Sequence, residues 1–418
     1  MGNYDWNQLK MSYTLRSNIS FTPATPTSVL TNDSSGNITQ TTNSSTVKRA
    51  VTVGSIPITF EPVPPNNMKQ TLGMFMPVSR AAVELIGPPT TPVPRFNGGV
   101  LAPDGYIYGT TGANISTQTR LIRYPTFGPR PTTYELIPIT GITTQTFGGI
   151  ILGPNGKLYI IPLASSLLMI YDISTYTFTS VNVGAGTNKW LGGVLAPNGK
   201  IYCAPFASAS VLIINTANDT IDVTSITGVN STGNAYSGGF LSKEGFVYIT
   251  PQFEDRFIKI NPATNAFSFV TIGGSKLIGK YTGGCVGTNG FAYIPSQRSA
   301  TYIKLDTSAD TFVGVIISSG AFGVKFSGAI LGRDNKVYMI PNDEASIYTL
   351  DLNAADAQAT IATGLVGASK FAGGVMGLDG YIYMFPGAQT SMLRIRPPKT
   401  ATGLEITYLL SGYRNKGF

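Results

Sequence analysis

The chain has 418 residues, of which 48 are glycine, 27 proline and only 12% charged, with 29 Lys and Arg against 21 Asp and Glu, a formal net charge of +8. It contains no histidine, which excludes Ser-His-Asp and Cys-His catalysis, histidine-type zinc sites and any imidazole proton shuttle. No run of like charges suggests a nucleic-acid tail, and no apolar stretch reaches the roughly 18 residues needed to span a bilayer.

In chain order, the start MGNYDWNQLKMSYTL lacks the apolar core of a signal peptide. The stretch SNISFTPATPTSVLTNDSSGNITQTTNSSTV that follows is polar and of low complexity, and cannot bury enough apolar area to fold alone. AVTVGSIPITFEPVPPNN has short strand-like pieces broken by prolines. Residues 1–80 are therefore expected to form an extended docking arm, held by other protein subunits of a larger assembly. AAVELIG (81–87) is strand-like again.

From Phe96 onward one phrase recurs seven times: FNGGVLAPDGYIYGTTG at Phe96, FGGIILGPNGKLYIIP at Phe147, WLGGVLAPNGKIYCAP at Trp190, YSGGFLSKEGFVYITP at Tyr236, YTGGCVGTNGFAYIP at Tyr281, FSGAILGRDNKVYMIP at Phe326 and FAGGVMGLDGYIYMFP at Phe371. The first glycines fall at 98, 148, 192, 238, 283, 328 and 373, a step of about 45 residues, as four-stranded blades require. Asp-Gly or Asn-Gly between two apolar runs signals a type I′ hairpin. Turns are thus predicted at 104–105, 155–156, 198–199 and 289–290, with 379–380 alike and 244–245 and 334–335 as variants. Two further strands follow each hairpin, as in SVLIINT and IDVTSI.

Four strands per unit and seven units predict an all-β protein, a seven-bladed β-propeller over residues 81–418. The glycines allow close approach of the innermost strands around the channel. Either AAVELIG or LEITYLL (404–410) can complete the last blade. Cys203 and Cys285 fall in blades two apart, where they are expected to pack as small apolar residues rather than pair.

The repeated proline, the Asp/Asn-Gly and the β-branched residue followed by tyrosine resemble the YVTN-type seven-bladed propeller repeats over residues 95–411. That resemblance implies the fold. Propellers of this kind serve as enzymes, lectins and assembly platforms alike, so it implies no single function.

Strand polarity places a basic residue before the aromatic of five phrases: Arg95, Lys189, Lys280, Lys325 and Lys370, with Thr146 and Ala235 as exceptions. With Trp190 and Tyr281 these residues form the candidate ligand site, a basic and aromatic channel mouth for an acidic glycan or an acidic protein surface. The competing reading has the lysines pointing at water and the aromatics packing between blades. The acidic pairs Glu254-Asp255 and Asp343-Glu344 share that rim but lie too far apart for joint acid–base work; pairing with Arg256, or solvation, is expected. Asp172, Asp306 and Asp351 are expected to close turns.

Without a catalytic set, cofactor or metal motif, the sequence points to a non-enzymatic structural protein, a virion component docked by its N-terminal arm. A glycan- or anion-binding recognition propeller, or a carbohydrate-active enzyme, are the alternatives. The expected location is the virion, or else an extracellular surface reached without a standard signal peptide.

Overall fold

The computed structural model describes residues 28–32, 38–42, 49–53, 56–60, 83–86 and 96–397 apart from short segments, among them 112–119, 273–280 and 318–324. The chain divides into two units, Arg80–Pro398 and Met1–Ser79 with Lys399–Phe418. Of the expected propeller range 81–418, residues 398–418 lie outside the described residues.

Arg80–Pro398 holds seven four-stranded antiparallel sheets, the predicted seven blades. Blade 3 is representative: Trp190–Leu195, Lys200–Pro205, Leu212–Asn215 and Thr220–Asp222 pair in sequence order. The innermost strands of the other blades begin at Phe96, Phe147, Tyr236, Cys285, Phe326 and Phe371. Blade 7 draws its fourth strand from upstream: Val83–Ile86 pairs with Met392–Ile395. This settles the closure in favour of the upstream segment; 404–410 lies outside the described residues.

Each second strand is buried almost throughout, as in Lys200–Pro205 and Val247–Pro251. Its two faces pack on both neighbouring blades, so the run reads as continuously apolar rather than alternating. Each fully buried Ile, Leu or Val contributes about 1.5–3 kcal/mol. Outermost strands revert to mixed exposure, as in Thr177–Asn182.

The innermost strands share a bulge. Phe96 pairs with Thr111 and Gly99 with Gly109, so Asn97 and Gly98 face one residue. The glycine two places after each aromatic takes positive φ in all seven blades, at 98, 149, 192, 238, 283, 328 and 373. In blade 2 the structural equivalent is thus Gly149, not the first glycine of its phrase, Gly148. A Cβ on Gly192 would lie 3.0 Å from Gly238 Cα, and one on Gly238 2.7 Å from the Thr282 carbonyl oxygen. Both the positive φ and this contact between neighbouring blades require glycine.

In the second unit, Ser28–Asn32 pairs with Ile38–Thr42, and Arg49–Val53 with Ile56–Phe60. Within the expected arm the described residues thus form two antiparallel strand pairs, consistent with their Thr, Val and Ile content.

Candidate functional site

The connections into the innermost strands share one rim, and where it is described the residue before the aromatic has a backbone role. Lys189 N–H donates to the Leu163 carbonyl of the preceding blade, and Phe206 N–H of its own blade donates to the Lys189 carbonyl. Ala235 does the same between Phe206 and Gln252, Lys325 between Gln297 and Asn342, and Lys370 between Asn342 and Gly387. The position is a rung between blades, made by main-chain groups that any non-proline residue carries. Ala235 therefore fits as well as lysine.

The side chains of the predicted basic ring are turned to local use. Lys189 is 8% exposed and Lys370 1%. Lys189 Nζ donates to the Gly184 carbonyl at 2.5 Å and lies 5.4 Å from the Trp190 ring centre. Lys370 Nζ donates to the Asp343 carbonyl at 3.0 Å. Burial lowers both ammonium pKa values, and for Lys370 the nearby Asp343 and Glu344 oppose the shift. Lys325 Nζ pairs with Glu344 at 3.3 Å. These three occupy equivalent positions, but Lys189 and Lys370 do not present free charge to a ligand. Arg95 and Lys280 lie outside the described residues.

Trp190 and Tyr281 are core residues. Trp190 Nε1 donates to the Ser210 carbonyl at 2.8 Å, and burial raises the Tyr281 hydroxyl pKa. Both plug between blades, so the aromatic part of the predicted site is corrected to packing.

The acidic residues of this rim are likewise engaged. Glu254 lies 4.0 Å from Arg256, whose guanidinium stacks 3.9 Å over Phe269. Asp343 Oδ1 accepts from Ser369 N–H at 2.5 Å. Cys203 and Cys285 are free thiols, as expected.

The opposite rim carries the hairpin turns, with a network that sequence reasoning missed. The tyrosine of each phrase is buried at 108, 159, 202, 248, 293, 338 and 383. In blades 2 to 5 its hydroxyl donates to the outer turn of the next blade: Tyr159 to Asp219 at 2.5 Å, Tyr202 to Asn265 at 2.7 Å, Tyr248 to Asp310 at 2.5 Å and Tyr293 to Asp356 at 2.6 Å. Lysines reach three of these acids, Lys157 at Asp219, Lys259 at Asp310 and Lys304 at Asp356. In blades 1, 6 and 7 the hydroxyl donates instead to the aspartate of its own hairpin, Asp104, Asp334 or Asp379, at 2.7, 2.9 and 2.7 Å. The signal was present in the sequence: those three hairpins have Asp first, the other four Asn or Glu. An asparagine amide donates to the tyrosine oxygen, as Asn155 does at 2.9 Å, leaving the hydroxyl proton for the next blade.

Asp172, Asp306 and Asp351 do close turns, accepting from Ser174 N–H at 2.8 Å, Ser308 N–H at 2.9 Å and Asn353 N–H at 3.0 Å. Those bonds hold the Asp172 and Asp306 carboxyls below the usual range, the Ser174 and Ser308 hydroxyls contributing most. Among the described residues no group of three or more His, Cys, Asp or Glu side chains could hold a metal ion. No described helix is long and apolar enough to cross a membrane.

No protein-family model matches the chain, and no curated protein matches it in sequence. Solved structures do match. Virginiamycin B lyase from Staphylococcus aureus is 11% identical with a TM-score of 0.63, covering 76% of this chain and all of the lyase. The WD40 repeats of RRP9 are 11% identical with a TM-score of 0.56, covering 77% of this chain and 99% of theirs. The extracellular domain of the one-component system BT4673 from B. thetaiotaomicron is 14% identical with a TM-score of 0.55, covering 77% and 42%. At these identities the likeness shows the fold alone.

Proposed function

We propose that this propeller is a non-catalytic assembly protein, a virion component docked into a larger particle through residues 1–80. The observation that carries the non-catalytic part is the commitment of rim side chains. Lys189, Lys325 and Lys370, with Asp343, Glu254 and Glu344, are engaged in bonds and ion pairs within and between blades. A group spent on structure is poorly placed to bind and turn over a substrate. Lyase chemistry does not carry over: a virginiamycin B lyase with a histidine replaced by alanine is described as catalytically inactive, and this chain has no histidine.

The docking part rests on residues 1–80. Their polar composition cannot supply a core, and two-stranded pairs such as Ser28–Asn32 with Ile38–Thr42 and Arg49–Val53 with Ile56–Phe60 are marginal by themselves. A neighbouring subunit supplies the missing surface. The test is deletion of residues 1–79. The propeller should remain soluble and monomeric with its melting temperature unchanged, but should no longer incorporate into particles. Unfolding of the truncated chain, or undiminished incorporation, overturns the proposal.

A further inference from the structure

The outer turns of blades 2 to 5 follow one plan. An Asp or Asn (172, 215, 261, 306) accepts from the backbone N–H two residues on. The fifth residue then takes left-handed backbone, at φ 58° for Asp219 and Asn265 and 54° for Asp310. Short Asp and Asn side chains tolerate that conformation, and these three receive the tyrosine hydroxyl of the preceding blade. Blade 2 places Tyr176 there, at φ 58°. A bulky residue in this region is an outlier. The substitution also removes an acceptor for Tyr108, which donates to Asp104 instead. The Tyr176 ring stands 62% exposed, so packing does not offset the strain. Strain without a structural return gathers at functional positions.

The surroundings fit such a role. The Arg123 guanidinium lies 4.5 Å from the Tyr106 ring centre and 5.9 Å from that of Tyr176. Glu135 holds it through Nε at 2.9 Å and Nη2 at 2.8 Å. Phe127, 54% exposed, stands edge-on to Tyr106 with ring centres 6.0 Å apart. The exposed Tyr176 ring thus lies beside an internally neutralised ion pair, and the exposed Phe127 ring lies beside the Tyr106 ring on which that arginine stacks.

We propose that this face binds a neutral carbohydrate. A pyranose presents apolar C–H faces that pack on exposed rings, and hydroxyls that can both donate to the Glu135 carboxylate and accept from Arg123. Glu135 cancels the arginine charge, so the site has little attraction for an anion. An apolar protein surface would have to desolvate the Arg123–Glu135 pair without replacing its water, whereas sugar hydroxyls replace it. This site is distinct from the predicted channel mouth and independent of the docking role of residues 1–80.

The full chain is run in native gels cast with dextran, mannan, galactan or xylan, with calorimetry on oligosaccharides of any polymer that retards it. At least one should retard the wild-type protein. Tyr176→Asn, which restores the residue type of the sister turns, should weaken binding at least tenfold while leaving the melting temperature unchanged or raising it by about 1–3 °C. Phe127→Ala should also weaken binding. Retardation by none of the four, equal binding by Tyr176→Asn, or a fall in its melting temperature (a structural tyrosine) overturns the proposal. So does a protein partner lost in Tyr176→Asn when no polysaccharide binds.

Discussion

From blade 2 to blade 6 the hairpin-turn rim is held by side chains that cross each boundary, a tyrosine hydroxyl on an acid or amide of the next blade, with a lysine at three of the four crossings. In blades 6, 7 and 1 the same tyrosines turn back to their own hairpins, and rings fill the boundaries on either side of blade 1: Tyr124 with Tyr383 at 5.7 Å, Phe96 stacked on Phe385 at 5.5 Å, Tyr108 with Tyr171 at 6.1 Å. Between blades 6 and 7, Arg333 donates to the Gly377 and Leu378 carbonyls. The crossing bond needs a short outer turn ending in Asp or Asn. Blade 7 has no such turn because Val83–Ile86 arrives from upstream, blade 1 has a longer connection between Pro125 and Glu135, and blade 2 has Tyr176. A repeat protein keeps its latch where the repeat is intact, and where the repeat is broken the sequence supplies Asp104, Asp334 and Asp379 as local acceptors.

The sharpest test of this contrast is the closure itself. Deleting residues 80–87 removes the strand paired to Met392–Ile395 and the buried Ile86. It should cost about 3–5 kcal/mol, from lost burial and strand hydrogen bonds. Denaturant unfolding should lose its single cooperative step, whereas a fully cooperative transition with wild-type midpoint would show that blades 7, 1 and 2 close without it.

The two regions can then be compared acid by acid. Asp356→Ala strands the Tyr293 hydroxyl and the Lys304 ammonium together, and should cost about 2 kcal/mol, diminishing with salt because Lys304 is partly exposed. Asp104→Ala removes the acceptor of the Tyr108 hydroxyl and of the Tyr106 N–H within one blade, strands no cation, and should cost about 1–2 kcal/mol with little salt dependence. Equal losses in urea denaturation would mean that the crossing bond adds nothing beyond a local one.

A smaller effect is expected at Asp334, buried with Oδ1 unpartnered while Oδ2 accepts from Tyr338. Burial raises its carboxyl pKa above the ordinary value, against the pull of the Tyr338 hydroxyl. A raised folded pKa means that folding disfavours the carboxylate, so wild-type stability rises as pH falls through that pKa. Asp334→Asn should therefore be more stable than the wild type at pH 7, with the advantage fading as acid protonates Asp334. A pH-independent difference in melting temperature would point to packing instead.

The sequence by itself determined the blade count, the hairpin turns and the turn roles of Asp172, Asp306 and Asp351. Each depends on contacts within a few residues, where period, turn chemistry and positive φ are written directly into residue type. Even the division between latched and unlatched blades was present in whether the hairpin turn begins with Asp or with Asn or Glu. The tertiary structure decided what lies across a blade boundary. It showed that Lys189 and Lys370 spend their charge on carbonyls, that Trp190 and Tyr281 are core, that 83–86 closes the ring, and that Tyr176 stands exposed beside Arg123. Apart from the Lys189 bond to Gly184, which depends on burial rather than distance along the chain, those outcomes rest on atoms some 20 to 300 residues away, which no local pattern records.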